Sequence, residues 1–277
     1  MYTRRVLPTL DKRVTNKTRD GPRIIILTNN FCNLACYSCS TLSDKPWGSN
    51  PFRDQPYEIP THELEAFLAN IEGFNPDWWI RFEGGETTML DPDHVEALVG
   101  ACKSAGRKVD LLTNGFGLVE GTRFRINPEL FDGIILDQHR QNENDVKIVS
   151  RLLDMSGYQA YNIHILNEHI DLERMRTGGL SLGRKCREWG ESWALWRGVV
   201  YPCFVSPVLD GWNNSGYLIR DALIEAGYVY DNPDLTALMM DPDKFIPVEF
   251  RLICAATCWR GGKDVVKQFT DYVEGSE

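Results

Sequence analysis

The 277-residue chain has no apolar run near the roughly 20 residues that a membrane-spanning helix needs. Its opening stretch, MYTRRVLPTLDKRVTNKTRDG, lacks the apolar core of a secretory signal, so a cytoplasmic protein is expected. Positive charge is in short supply. The formal net charge is −9, which argues against a broad groove for nucleic acid. Arg4, Arg5, Lys12, Arg13, Lys17 and Arg19 do gather at the N-terminus, and residues 1–21 read as a solvated arm. No internal repeat or low-complexity tract is present, and charged and apolar fractions are those of an ordinary globular protein. At this length a main domain with a smaller appendage is expected.

Cysteine, by contrast, is plentiful and clustered. The eight fall into a tight triplet (Cys32, Cys36, Cys39), a single residue (Cys102) and a C-terminal quartet (Cys186, Cys203, Cys254, Cys258). In a reducing compartment such clusters point to metal or redox chemistry rather than to disulfides. The triplet is one ligand short of a closed site: the next cysteine is Cys102 and the nearest histidine is His62. Three thiolates suit a structural zinc only if a fourth ligand arrives from elsewhere. They suit a [4Fe–4S] cluster better, because one of its irons can work without a protein ligand.

From about residue 22 to 166, short apolar runs alternate with helical patterns. RIIILTNN (23–30) is β-branched and continuous, as in a strand buried on both faces. THELEAFLANIEGF reads as a helix and DWWIRFEGGET as a strand ending in a glycine turn. A second helix has Asp91 as N-cap, Pro92 in its first turn and Gly106 as its stop. KVDLLTNG and GIILDQH are two more strands, with little regular structure expected between them. NENDVKIVSRLLDMSG is an amphipathic helix with Val146, Val149 and Leu153 on one face, and YQAYNIHIL is a fifth strand. Alternation of this kind predicts an α/β fold of right-handed βαβ units around a parallel sheet, with chemistry at the C-terminal ends of the strands. The triplet, GGE (Gly84, Gly85, Glu86), TNG (Thr113, Asn114, Gly115) and Asp137 with His139 all follow strands, so they are expected on one face.

After about residue 170 the rhythm changes. ESWALWRGVVYPCF predicts a hairpin turning at Arg197-Gly198, SGYLIRDALIEAG a helix ending near Gly227, and the Asp- and Pro-rich remainder is given no regular element. Cys186 and Cys203 flank the hairpin while Cys254 and Cys258 follow as CxxxC, so four thiolates can close one metal centre, either iron–sulfur or zinc. Cys102 lies with Val95, Leu98 and Val99 on the apolar face of its helix and reads as a core cysteine. Trp193, Trp196 and Trp259 read as packing residues, with shielding of a metal centre as the other possibility. Arg81, Arg197 and Arg260 are either surface arginines or binders of an anionic substrate.

CxxxCxxC with Tyr37 before the third cysteine resembles the signature of the radical S-adenosylmethionine (SAM) superfamily. The resemblance implies that the amine and carboxylate of SAM chelate the fourth iron. It further implies a 5′-deoxyadenosyl radical that abstracts hydrogen from substrate, and an external electron donor such as flavodoxin or ferredoxin. GGE stands where that family binds the SAM amino group: glycines permit close approach, and the Glu86 carboxylate can pair with an ammonium. Thr113 and Asn114 stand where side chains reach the SAM ribose or carboxylate, although Asn-Gly is also an ordinary turn. The family's GxIxGxxE motif is not visible in IHILNEHIDLE, which leaves the adenine contacts unassigned.

The quartet, as Cys-(x11)-Gly-(x4)-Cys with a later pair, resembles the twitch domain, a shortened SPASM-like extension that carries an auxiliary [4Fe–4S] cluster. The fold implied is a partial (β/α)6 TIM-like barrel over 22–180 and a small hairpin-plus-helix domain over 181–277. The activity implied is two-electron oxidation of a small polar substrate. A redox-neutral isomerase or epimerase, a peptide-modifying enzyme, and an iron–sulfur or zinc protein without SAM chemistry are the alternatives. Candidate general bases are Asp137, His139 and His164.

Overall fold

The computed structural model describes residues 22–34, 56–121, 123–137, 143–155, 163–166, 192–203 and 218–246. Strands β1 (Arg23–Leu27), β2 (Trp79–Glu83), β3 (Val109–Thr113), β6 (Gly133–Asp137), β7 (Ile163–Leu166) and β8 (Ser192–Trp196) run parallel, and β9 (Val199–Tyr201) returns antiparallel to β8. Together they form one seven-stranded sheet in the order β7-β6-β3-β2-β1-β8-β9. The short pair β4 (Val119–Glu120) and β5 (Arg123–Phe124) lies between β3 and β6 in the chain, where little regular structure was expected.

Helices α1 (Thr61–Asn70), α2 (Pro92–Ser104) and α3 (Glu143–Met155) are the crossovers from β1 to β2, β2 to β3 and β6 to β7. Each connection moves the chain the same way along the sheet. Right-handed crossovers therefore stack all three helices on one face. The apolar stripes that meet there are those read from the sequence, including Leu64 and Phe67 of α1, Val95 and Leu98 of α2, and Val146 and Val149 of α3. Asp91 accepts a hydrogen bond from the Asp93 amide at 2.9 Å as the α2 N-cap, and Gly106 ends the helix at φ +72°. Cys102 is fully buried in this layer, and burial pushes its thiol up to about 12, as befits a core cysteine. Arg107 crosses behind the layer and donates to the carbonyls of Ile71, Phe74 and Asn75, so its fork fixes the turn from α1 into β2.

The opposite face of the sheet is polar near its centre. On β2, Ile80 and Phe82 alternate with Arg81 and Glu83, and the register sets Arg81 beside Asp110 of β3. Arg81 is buried and clamps Asp110 bidentately, Nε to Oδ1 at 2.9 Å and Nη2 to Oδ2 at 2.6 Å. It is thus neither a surface arginine nor free to take a substrate anion. The reason lies in the pleat: a charged residue at an inward position has to find its partner on the next strand.

The hairpin turns at Arg197 (φ +49°) and Gly198 (φ +77°), the left-handed pair that a two-residue connection requires. Its first arm is not set apart from the core: β8 lies along β1, with Ile24 opposite Trp193 and Ile26 opposite Leu195. Glu63 of α1 accepts from the Gly198 amide at 2.8 Å and from the Tyr57 hydroxyl at 2.9 Å, which ties the turn to the helical layer. Trp193 and Trp196 are packing residues. The first stacks on Tyr228 with centroids 5.9 Å apart, and the second meets Tyr57 edge-on at 4.8 Å. Arg197 lies partly buried over the Tyr57 and Trp196 rings, not on the open surface. Helix α4 (Leu218–Glu225) ends two residues before Gly227. Two further short helices, α5 (Leu235–Met240) and α6 (Pro242–Phe245), occupy the Asp- and Pro-rich segment to which no element was assigned.

Candidate functional site

The C-terminal ends of β1, β2 and β3 are joined by a dense set of hydrogen bonds. Chain leaving β1 passes through Thr28, Asn29 and Asn30, all fully buried, before reaching Cys32. The GGE turn after β2 lies directly on this segment. Gly85 N donates to Asn29 O at 2.8 Å, Glu86 N to Phe31 O at 2.7 Å, and Asn29 Nδ2 to Glu86 O at 3.0 Å. Only glycine permits this approach. A Cβ at Gly84, whose φ is +148°, would stand 2.8 Å from Asn29 O, and one at Gly85 would overlap the carbonyl of Phe31. The glycines expected to let backbone approach a cofactor here let two loops approach each other.

Glu86 is buried, and its carboxylate gathers the same region from within. Oε1 accepts from Thr88 N (3.0 Å), Thr88 Oγ1 (2.6 Å) and Thr113 Oγ1 (2.6 Å), while Oε2 accepts from Asn114 N (2.8 Å). Burial raises its pKa, and the hydrogen bonds from Thr113, Thr88 and Asn114 work against that rise. The carboxylate thereby pins the TNG turn after β3 to the GGE turn after β2. Gly115 (φ +85°) completes TNG as a turn, closed by Phe116 N donating to Asn114 Oδ1 at 2.9 Å.

Asn114 is also brought onto Cys32. Its Nδ2 lies 3.4 Å from Cys32 Sγ and 2.9 Å from Asn33 Oδ1, and Leu34 N lies 3.3 Å from the same sulfur. Two N–H groups directed at one sulfur suit a thiolate, the form in which cysteine ligates a metal, so the donor set at Cys32 fits a cluster ligand. Cys36, Cys39 and Tyr37 lie outside the described residues, as do Cys186, Cys254, Cys258, His139, Trp259 and Arg260. Cys203 is buried at the end of the hairpin.

Asp137 ends β6, partly buried, one strand beyond Thr113. His164 lies on β7 at the register position of Ile135. A third group, in the field of Asp137, escaped the sequence reading. Glu83, the last residue of β2 and the one before GGE, is 7% exposed, and its carboxylate receives no hydrogen bond or ion pair from the described residues. Burial raises its pKa. The charges of Arg81 and Arg23 lower it, and Asp110 and Asp137 add to the rise. The signal was present in WIRFE, where apolar and charged residues alternate with a period of two.

No protein-family model matches the chain, and no curated protein matches its sequence. Solved structures do resemble it. BtrN in complex with AdoMet and 2-DOIA superposes with a TM-score of 0.50 at 15% identity, over 77% of this chain and 92% of that one. Streptococcus suis SuiB bound to the precursor peptide SuiA (TM-score 0.40, 14% identity, 80% and 68% of the two chains) matches more loosely. So does native anSMEcpe with AdoMet and the Cp18Cys peptide (0.35, 16%, 52% and 41%). The likeness to BtrN is one of fold: a mixed α/β arrangement around a mostly parallel sheet.

Proposed function

We propose that this chain is a radical SAM enzyme that oxidises a small polar substrate by two electrons. The observation that carries the proposal is the meeting of GGE, TNG and the first cysteine of the triplet at the C-terminal ends of three adjacent strands. Cys32 of the triplet touches Asn114 of TNG, and Glu86 of GGE holds both turns. The shared fold of BtrN, solved with AdoMet, supports it. Under this reading the sheet is a partial (β/α)6 barrel. Cys32, Cys36 and Cys39 hold a [4Fe–4S] cluster, and SAM lies against the GGE and TNG turns. Cys186, Cys203, Cys254 and Cys258 hold a second [4Fe–4S] cluster in a twitch-like extension. When bound, cluster and SAM supply a 5′-deoxyadenosyl radical able to remove a hydrogen atom from substrate. The chain's own contribution is a seat and a proton acceptor. Glu83 faces the polar side of the sheet beside the Arg81–Asp110 pair and takes a proton or hydrogen bond from a substrate hydroxyl or ammonium, with Asp137, His139 and His164 as the other candidates. Reducing equivalents come from a flavodoxin or ferredoxin.

Anaerobic purification should give about eight irons per chain, and dithionite with SAM should release 5′-deoxyadenosine. Zinc in place of half the iron would refute the auxiliary cluster. Absence of deoxyadenosine from reduced, iron-loaded protein would refute the SAM chemistry. A substrate product of unchanged mass would replace oxidation by isomerisation.

Desolvation of the Glu83 carboxylate costs stability, so Glu83→Gln is expected to make the protein more stable at pH 7 by about 1–2 kcal/mol. The sign follows from its raised pKa. The wild type is disadvantaged once pH rises through the folded value, and the advantage of glutamine disappears as pH falls towards the ordinary glutamate value of 4.5. Urea titrations of the two proteins across that range measure the difference. A Glu83→Gln protein less stable than wild type at pH 7 would give Glu83 a structural role instead.

A further inference from the structure

From the contact between β3's exit turn and the first cysteine, we propose that Asn114 is a positioning residue for the metal centre: it donates a hydrogen bond to Cys32 Sγ and sets the reduction potential of the cluster that Cys32 ligates. The inference rests on the iron–sulfur reading above and assigns Asn114 to the sulfur rather than to the SAM ribose or carboxylate.

The orientation of the amide is fixed by its surroundings. Phe116 N lies 2.9 Å from Asn114 Oδ1, and a backbone N–H requires an acceptor, so the oxygen faces Phe116 and the NH2 group faces Cys32. Among the described residues that NH2 meets Asn33 Oδ1 at 2.9 Å and Cys32 Sγ at 3.4 Å. The backbone of Asn114 is held independently, by its own N–H on the buried carboxylate of Glu86. Asn114 itself is 6% exposed, so water competes poorly for its donors. Leu34 N, at 3.3 Å, adds a second donor to the same sulfur.

A hydrogen bond to a ligating sulfur draws charge from it. The reduced cluster carries one more negative charge than the oxidised one, so the bond favours reduction and raises the potential. Removing it should make the cluster harder to reduce. Asn114→Asp is the sharper variant. It retains an oxygen for Phe116 N and the length of the side chain, yet replaces the donor to sulfur by a negatively charged acceptor. Asn114→Ala removes the donor and the Phe116 cap together.

The test is an EPR-monitored redox titration of the anaerobic, iron-loaded protein, following the cluster signal that changes when SAM is added, with SAM affinity measured in parallel. Both variants are expected to titrate at more negative potential than wild type, Asn114→Asp further than Asn114→Ala. In Asn114→Asp the reduction equilibrium should fall at least tenfold, equivalent to about 59 mV for one electron. SAM affinity should change less than about threefold. An unmoved potential with SAM binding weakened tenfold or more would overturn the inference and return Asn114 to the cofactor. An unmoved potential with unmoved affinity would overturn it as well. A wild-type protein that holds zinc or no redox-active cluster would sink the iron–sulfur reading itself, an outcome told apart by metal content before any titration.

Discussion

Replacing Gly85 by alanine is expected to cost the fold about 3–5 kcal/mol and to strip the triplet of its metal. The added methyl group meets backbone, the carbonyl, carbon and nitrogen of Phe31, which cannot rotate out of the way as a side chain would. Relief requires the GGE turn to part from the β1 exit. That breaks the bonds from Gly85 N to Asn29 O and from Glu86 N to Phe31 O, and moves Phe31, the immediate neighbour of Cys32. Gly100→Ala on α2 is the matched control. A Cβ there has nothing within 4 Å, and alanine in a helix is favoured over glycine by about 1 kcal/mol, so this variant should be slightly stabilised and keep its iron. Urea midpoints and iron content read both. A Gly85→Ala protein of wild-type stability and full iron content would show that the two turns are not packed as described.

Most of the core's elements could be read from local pattern because local physics determines them. The α2 boundaries follow from Asp91 as cap and Gly106 as stop, and the turn at Arg197-Gly198 from the conformations a two-residue hairpin demands. Placement was less legible. Nothing within SWALW says that it lies beside RIIIL, about 170 residues earlier, since the choice of sheet neighbour is made by long-range burial. The Asp- and Pro-rich segment after Gly227 carries no helical periodicity that marks its two short helices. Pro242 in fact opens the short α6, where a missing N–H costs nothing.

The site divides in the same way. Cys32, GGE and TNG stood out as chemistry-bearing residues after strands, and their convergence at the C-terminal ends of those strands followed from parallel topology. Their partners did not. Glu86 reads as a carboxylate available to a ligand, whereas folding surrounds it with Thr88, Thr113 and the Asn114 amide. Asn29 and Asn30, included in the first strand by the sequence, lie beyond its end as buried clamps: Asn29 binds the Glu86 backbone and Asn30 Oδ1 accepts from Tyr57 N. Hydrogen-bond partners that lie 27 to 57 residues apart leave no periodic trace in sequence.

The buried pair at the sheet centre makes the other large prediction, and here the order of effects is the test. Asp110→Leu strands the Arg81 guanidinium, which is expected to destabilise by about 3–5 kcal/mol. Arg81→Met should be worse. It strands Asp110 and also removes the positive charge that offsets burial at Glu83, the next inward residue of β2. The double variant Arg81→Met/Asp110→Leu leaves no unpaired partner and should recover most of the loss, giving a coupling of at least about 2 kcal/mol in a double-mutant cycle. Adding Glu83→Gln to Arg81→Met should recover part of it by a separate route, because it removes the carboxylate left uncompensated. Equal losses in both single variants, with a double variant that simply sums them, would mean that the pair is not the buried bidentate contact seen between β2 and β3. The expected order places Glu83 in the field of Arg81, which works against the rise that burial imposes on its pKa.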